Sequence, residues 1–265
     1  MSDFRLPCFP VRIARQVLIG LLMVGVGTAA AHARTLTIAV AANFTRAIEE
    51  IGAGFEAKTG DKVKFSFGAT GQLFAQISNG APFDAFFSAD TKTPLQAVKD
   101  GLAQPGSYFI YARGKLVLWS PDLPVKEQAE QILRSASYTH LAIANPKVAP
   151  YGGAALEVLN KLGATQQNQT RMVYGNSLAQ AFQFVSTGNA ELGFVALSQI
   201  LEPGSPAKGH GQTWMPPQDL YTPIDQAAII LKHTTHLKAA QEFMAYLRSP
   251  AGQQVIERYG YEVPR

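Results

Sequence analysis

Between residues 35 and 100 a short β-rich apolar run alternates three times with a longer run of helical periodicity: 35–41 then 44–58, 62–67 then 72–78, and 84–88 then 94–100. Strand, helix, strand at this spacing predicts βαβ units and a largely parallel, helix-covered sheet. Leu36, Ile38 and Val40 alternate with Thr37 and Ala39, and Phe44, Ala47, Ile48, Ile51 and Phe55 recur on one helical face. A second set has strands at 115–119, 141–144, 172–174 and 192–196 and helices at 153–162 and 178–186. Residues 203–217, rich in Pro and Gly, read as loop; 225–231 is then a strand, and 238–248 and 251–259 are helices. One α/β unit, a second, and a last strand with helices imply an α/β fold of two lobes with crossing connections. The expected lobes are 34–114 with 225–265, and 115–224.

Residues 1–33 have a different character. Arg5, Arg12 and Arg15 stand against Asp3 alone, an apolar run of about 15 residues follows, and Ala31-His32-Ala33 closes it. Basic segment, apolar segment and A-x-A predict a cleavable secretory signal peptide cut after Ala33, since spanning a bilayer takes roughly 20 apolar residues. The single cysteine, Cys8, leaves with it, which excludes a disulfide scaffold and any C-x-x-C module. Much of the formal net charge of +4 also belongs to this segment, and no run of five basic residues remains, so nucleic acid is not an expected partner. With 47% apolar and 16% charged residues the chain has enough apolar content for a sizeable core.

Three strand-to-helix turns share a chemistry. They are Ala41-Ala42-Asn43-Phe44-Thr45, with Asn43 expected as the N-cap of the long helix, Phe67-Gly68-Ala69-Thr70-Gly71, and the Pro/Gly turn from Asn145 to Gly153. Each leaves free backbone N–H groups and the positive end of a helix dipole beyond a strand's C-terminal edge, where α/β sheets bind ligands. Such turns suit an anion without needing a lysine or arginine.

Catalytic signatures are mostly missing: G-x-S-x-G, G-x-x-x-x-G-K-[ST] and H-E-x-x-H do not occur, and the expected mature chain has no thiol. His233 and His236 precede a helix and read as surface or capping residues rather than metal ligands. Asp84 and Asp90 flank Phe86-Phe87-Ser88 and read as capping and turn residues. The expectation is a binding protein, not an enzyme, with no cofactor and no free metal cation.

At these turns the sequence resembles the periplasmic molybdate-binding proteins of ABC importers. The resemblance rests on 41–45, on Phe67-Gly68-Ala69-Thr70-Gly71-Gln72-Leu73, and on Gly80-Ala81-Pro82-Phe83-Asp84-Ala85-Phe86-Phe87-Ser88-Ala89-Asp90, its most specific stretch. Asn145 to Gly152, Gly193-Phe194-Val195 and Arg258-Tyr259-Gly260-Tyr261 continue it in family order. It implies a class II periplasmic-binding-protein-like fold, two α/β lobes closing around one dehydrated tetrahedral oxyanion in the cleft between them. The ligand positions it implies fall on Asn43, Thr70, Tyr151, the backbone of Leu178, and Ala196, where the family often has a tyrosine; alanine there removes one hydroxyl donor. The ligand implied is molybdate or tungstate, bound as the oxyanion. The partners implied are permease subunits of an inner-membrane ABC transporter, with the receptor acting as a monomer in the periplasm.

Rival readings remain open from sequence. A receptor for sulfate, another oxyanion or a small organic anion is kept open by Ala196. An exported hydrolase would need an oriented base, for which Asp84 with His140 is the one pairing available. The ligand-sensing lobes of a transcription regulator would lack a signal peptide and carry an N-terminal helix-turn-helix, neither of which fits.

Overall fold

A computed structural model of the chain describes residues 1–3 and 33–263. The predicted leader, residues 1–33, lies outside the described residues over 4–32. From Thr35 the order is β1 (Thr35–Ala41), α1 (Thr45–Thr59), β2 (Lys62–Gly68), α2 (Thr70–Ser78), β3 (Ala85–Phe87), α3 (Lys92–Lys99) and β4 (Phe109–Gly114). Then come β5 (Leu116–Ser120), α4 (Val125–Ser135), β6 (Leu141–Ala144), α5 (Pro150–Lys161), α6 (Thr165–Asn168), β7 (Met172–Gly175), α7 (Leu178–Ser186), β8 (Leu192–Ala196), α8 (Leu197–Leu201) and β9 (Gln212–Trp214). The chain closes with β10 (Ile224–Ile230), α9 (Leu237–Arg248) and α10 (Pro250–Arg258).

The strands form two five-stranded sheets, ordered β2-β1-β3-β10-β4 and β7-β6-β8-β5-β9. In the first, β1 runs parallel to β2 and β3, while β10 lies antiparallel between β3 and β4. In the second, β6 is parallel to β7 and β8, and β5 is antiparallel to β8 and β9. The chain passes between sheets twice, at Lys115 between β4 and β5 and again between β9 and β10.

The alternation in β1 divides two cores. Leu36, Ile38 and Val40 pack against Phe44, Ile48, Ile51 and Phe55 of the α1 side and against α9, whereas Ala39 faces Leu73, Ile77 and Phe86 on the other side. The same division occurs in β5, where Leu116 and Leu118 face one cluster and Val117 and Trp119 another. Sheets covered on both faces bury strands that read as nearly continuous apolar runs, which is why these strands are legible.

Several expectations change. A 3-10 turn, Ala42–Phe44, precedes α1, and Phe44 stands at the helix N-cap. Asn43 is therefore not the N-cap: its amide is drawn to distant side chains instead. The Pro/Gly-rich loop contains β9, three residues held by pairing with β5. Strand β4 and helix α4 have no counterpart in the sequence reading; β4 becomes a strand by pairing with β10, a neighbour more than a hundred residues away in the chain.

Candidate functional site

Four helical starts meet in one place. The turn before α1 and the first residues of α2, α5 and α7 border a cavity of about 220 Å3 of atom-free space, part of it open to solvent, lined by 41–43, 68–70, 149–151, Ala89 and Leu178. The space within suits a ligand of a few atoms rather than a drug-sized one. No lining residue is charged. The opening N–H groups of each helical start have no partner within it, and four positive dipole ends supply the field that a lysine would otherwise give.

Thr70, on α2, is buried, and its hydroxyl oxygen accepts the Ala89 N–H at 3.0 Å. Ser88 Oγ, whose own proton goes to the Asp90 carboxylate at 3.0 Å, lies 3.4 Å from the Thr70 hydroxyl, so a cavity anion competes with Ser88 for the Thr70 proton. Tyr151 is the second residue of α5, which opens on Pro150, a residue that lacks the N–H left unpaired there in any case. Burial, more than its tyrosine neighbours, pushes the Tyr151 phenol well above its usual range, so it stays protonated and can donate. Ser177 caps α7, its hydroxyl accepting the Gln180 N–H at 3.4 Å, and thereby places the Leu178 N–H at the first helical position.

Two of the expected positions sit differently from the others. Both Asn43 amide hydrogens are engaged, with Gln226 Oε1 at 2.8 Å and Tyr261 Oη at 3.1 Å, so Asn43 has no side-chain donor left for the cavity it lines. Ala196 is not among the lining residues: its N–H is donated to Gln199 Oε1 at 3.0 Å, and a methyl group has no donor to extend. The structure thus brings Asn43, Thr70, Tyr151 and Leu178 together and leaves Ala196 apart.

Sequence reasoning missed the layer behind the cavity. Gln226, fully buried on β10, joins Asn43, Tyr111 and Tyr151, and Ser198 with Tyr261 holds the Asn43 carbonyl. One signal was present: a glutamine inside an otherwise apolar strand run is unusual unless it is satisfied by partners.

The groups considered for catalysis serve structure. Asp84 accepts from the Thr37 N–H and the Thr234 hydroxyl and faces His236 at 3.2 Å, rather than His140, whose N–H goes to Glu191. Asp90 accepts from the N–H and the hydroxyl of Thr93 in the first turn of α3. Among the described residues no cluster of three His, Cys, Asp or Glu side chains suits a metal ion. A larger recess of about 680 Å3 adjoins the cavity, but Asp90, Glu157 and Asp225 line it against Lys92 alone, and the excess of carboxylates opposes an anion.

The two sheets' elements also touch across the cavity. The Gly71 N–H donates to the Val148 carbonyl at 2.9 Å and the Ser198 hydroxyl to the Asn43 carbonyl at 2.9 Å. A small uncharged cavity between two α/β halves is the arrangement of a solute receptor. The chain belongs to the bacterial extracellular solute-binding protein family, which matches residues 36–262. It is 49% identical over 237 residues to the molybdate-binding protein ModA of Azotobacter vinelandii, covering 89% of this chain and 93% of that one. Identity to the molybdate-binding protein ModA of Rhodobacter capsulatus is 46% over 240 residues, covering 91% and 92%. The solved periplasmic molybdate-binding protein of A. vinelandii superimposes with a TM-score of 0.83 at 40% identity, covering 87% of this chain and all of that one.

Proposed function

We propose that this chain is the periplasmic receptor of an ABC importer, capturing molybdate, and tungstate with it, and delivering the anion to inner-membrane permease subunits. It does so as a monomer, exported by a signal peptide comprising residues 1–33. Lobes 34–114 with 225–265 and 115–224 carry the site, and the anion is held by the backbone of Asn43 and Leu178 and by the hydroxyls of Thr70 and Tyr151. The observation that carries this reading is a small cavity bordered by four helical starts and two hydroxyls, with no charged residue in its lining.

Donors alone explain the selectivity. A fully deprotonated tetrahedral dianion offers only acceptors and meets every donor, whereas phosphate near neutral pH carries a proton that needs an acceptor the cavity lacks. Sulfate has shorter bonds and leaves donors stretched or unmet, and an unmet buried donor costs about 1–3 kcal/mol. Molybdate and tungstate are so close in size and charge that a ring of neutral donors hardly separates them. Isothermal titration of residues 34–265 with molybdate, tungstate, sulfate and phosphate in one buffer tests this. The expected outcome is tight one-to-one binding of the first two; equal or tighter sulfate binding overturns it and points to a sulfate receptor.

A further inference from the structure

Behind the cavity a set of buried side chains forms a hydrogen-bond chain whose direction is fixed from one end. The Asn43 backbone carbonyl can only accept, and the Ser198 hydroxyl donates to it at 2.9 Å; the one proton of Tyr261 is therefore spent on that carbonyl at 2.6 Å or on Ser198 Oγ at 3.0 Å. The Tyr261 oxygen must then accept at its remaining contact, 3.1 Å from the Asn43 amide, which makes that Asn43 atom the NH2 nitrogen. The second hydrogen of that nitrogen goes to Gln226 at 2.8 Å, so the Gln226 atom there is Oε1; the Tyr111 hydroxyl, 2.9 Å from it and 3.1 Å from the Ser88 carbonyl, shares its one proton between those two acceptors. The Gln226 amide is thereby oriented with Nε2 toward Tyr151 Oη at 3.4 Å. Tyr151 receives a hydrogen from behind, and among the described residues its own proton has no other acceptor.

We infer that Gln226 is a positioning and specificity-determining residue of the anion site: it turns the Tyr151 hydroxyl so that its proton points into the cavity, keeping the lining a surface of donors. This rests on the oxyanion reading above. Gln226 does not line the cavity; it acts through Tyr151. An amide is suited to the place because it accepts on one end and donates on the other. A carboxylate of the same shape would accept on both ends, draw the Tyr151 proton backward and turn an oxygen lone pair toward the anion. An apolar side chain would leave the Tyr151 hydroxyl free to rotate, so that it could accept a hydrogen from a protonated anion. Loss of Gln226 should therefore weaken molybdate and relax the discrimination against phosphate, whereas a purely structural residue would weaken all anions alike.

The test is a double-mutant cycle on the mature protein, with Q226M, Y151F and the pair titrated with molybdate, sulfate and phosphate at pH 6.5, alongside thermal melts. Expected is a loss of about tenfold or more in molybdate affinity for each single variant. The pair should be little worse than Y151F alone, and the phosphate-to-sulfate affinity ratio should rise in Q226M. Additive losses with an unchanged ratio overturn the role of Gln226 while leaving the receptor reading standing. Wild-type protein silent toward all three anions overturns both. Should Q226M not fold, Q226E keeps the acceptor for Asn43 and Tyr111; it is expected to lose molybdate affinity by about tenfold or more at pH 7.5, and affinity within twofold of wild type overturns the inference.

Discussion

Gly114 ends β4 where the first sheet hands over to the second, and a Cβ built on it would collide with the Tyr151 hydroxyl and lie 2.5 Å from Gln226 Nε2. The requirement is for space beside the site. Gly114→Ala is therefore expected to push the Tyr151 hydroxyl out of place and lower molybdate affinity by about 1–3 kcal/mol, the cost of an unmade hydrogen bond to a charged group. Calorimetric titration checks this, with circular dichroism showing the fold retained. Thr70 was identifiable from sequence as a hydroxyl at a helix start, and so was Tyr151 beside Pro150. The use made of Asn43 was not, because an amide following a strand looks the same whether it caps the next helix or reaches a glutamine 183 residues away.

Helix α1 shows why elements were easier to read than contacts. Its apolar face is set by a spacing of three and four residues, and Phe44, Ala47, Ile48, Ile51 and Phe55 all end at 0–1% exposure. Gly60 then terminates the helix in the left-handed conformation, φ 80°, its N–H bonding the Glu56 carbonyl. Ile48→Ala should cost about 2–5 kcal/mol of folding stability, read as a lower urea midpoint at unchanged slope, with anion affinity of the folded protein untouched. Short elements gave no such signal. The three residues of β9 become a strand because β5 offers them partners, and a three-residue run in a Pro/Gly-rich segment carries no period of its own.

Across the whole molecule, Tyr111, Tyr151 and Tyr261 share one buried region, and burial raises the pKa of each above its ordinary value of 10.0. A raised folded-state pKa means that the unfolded chain ionises first, so the stability tied to these phenols is fully present below about pH 10 and is lost as pH rises toward the folded values. Thermal melts between pH 8 and 11 should show a decline that begins near pH 10, and bound molybdate should raise the melting temperature throughout the neutral range. By itself the sequence determined the α/β alternation, the apolar face of each long helix and the donor-rich turns, because these follow from periods of two and 3.6 and from the chemistry of neighbouring residues. Only the tertiary structure decided that four helical starts share one cavity, that Ala196 stands outside it, and that Gln226 meets Tyr151 across 75 residues of chain. The physical reason is that a buried polar atom takes its partner from whatever packing brings within about 3 Å, and local sequence carries no record of that distance.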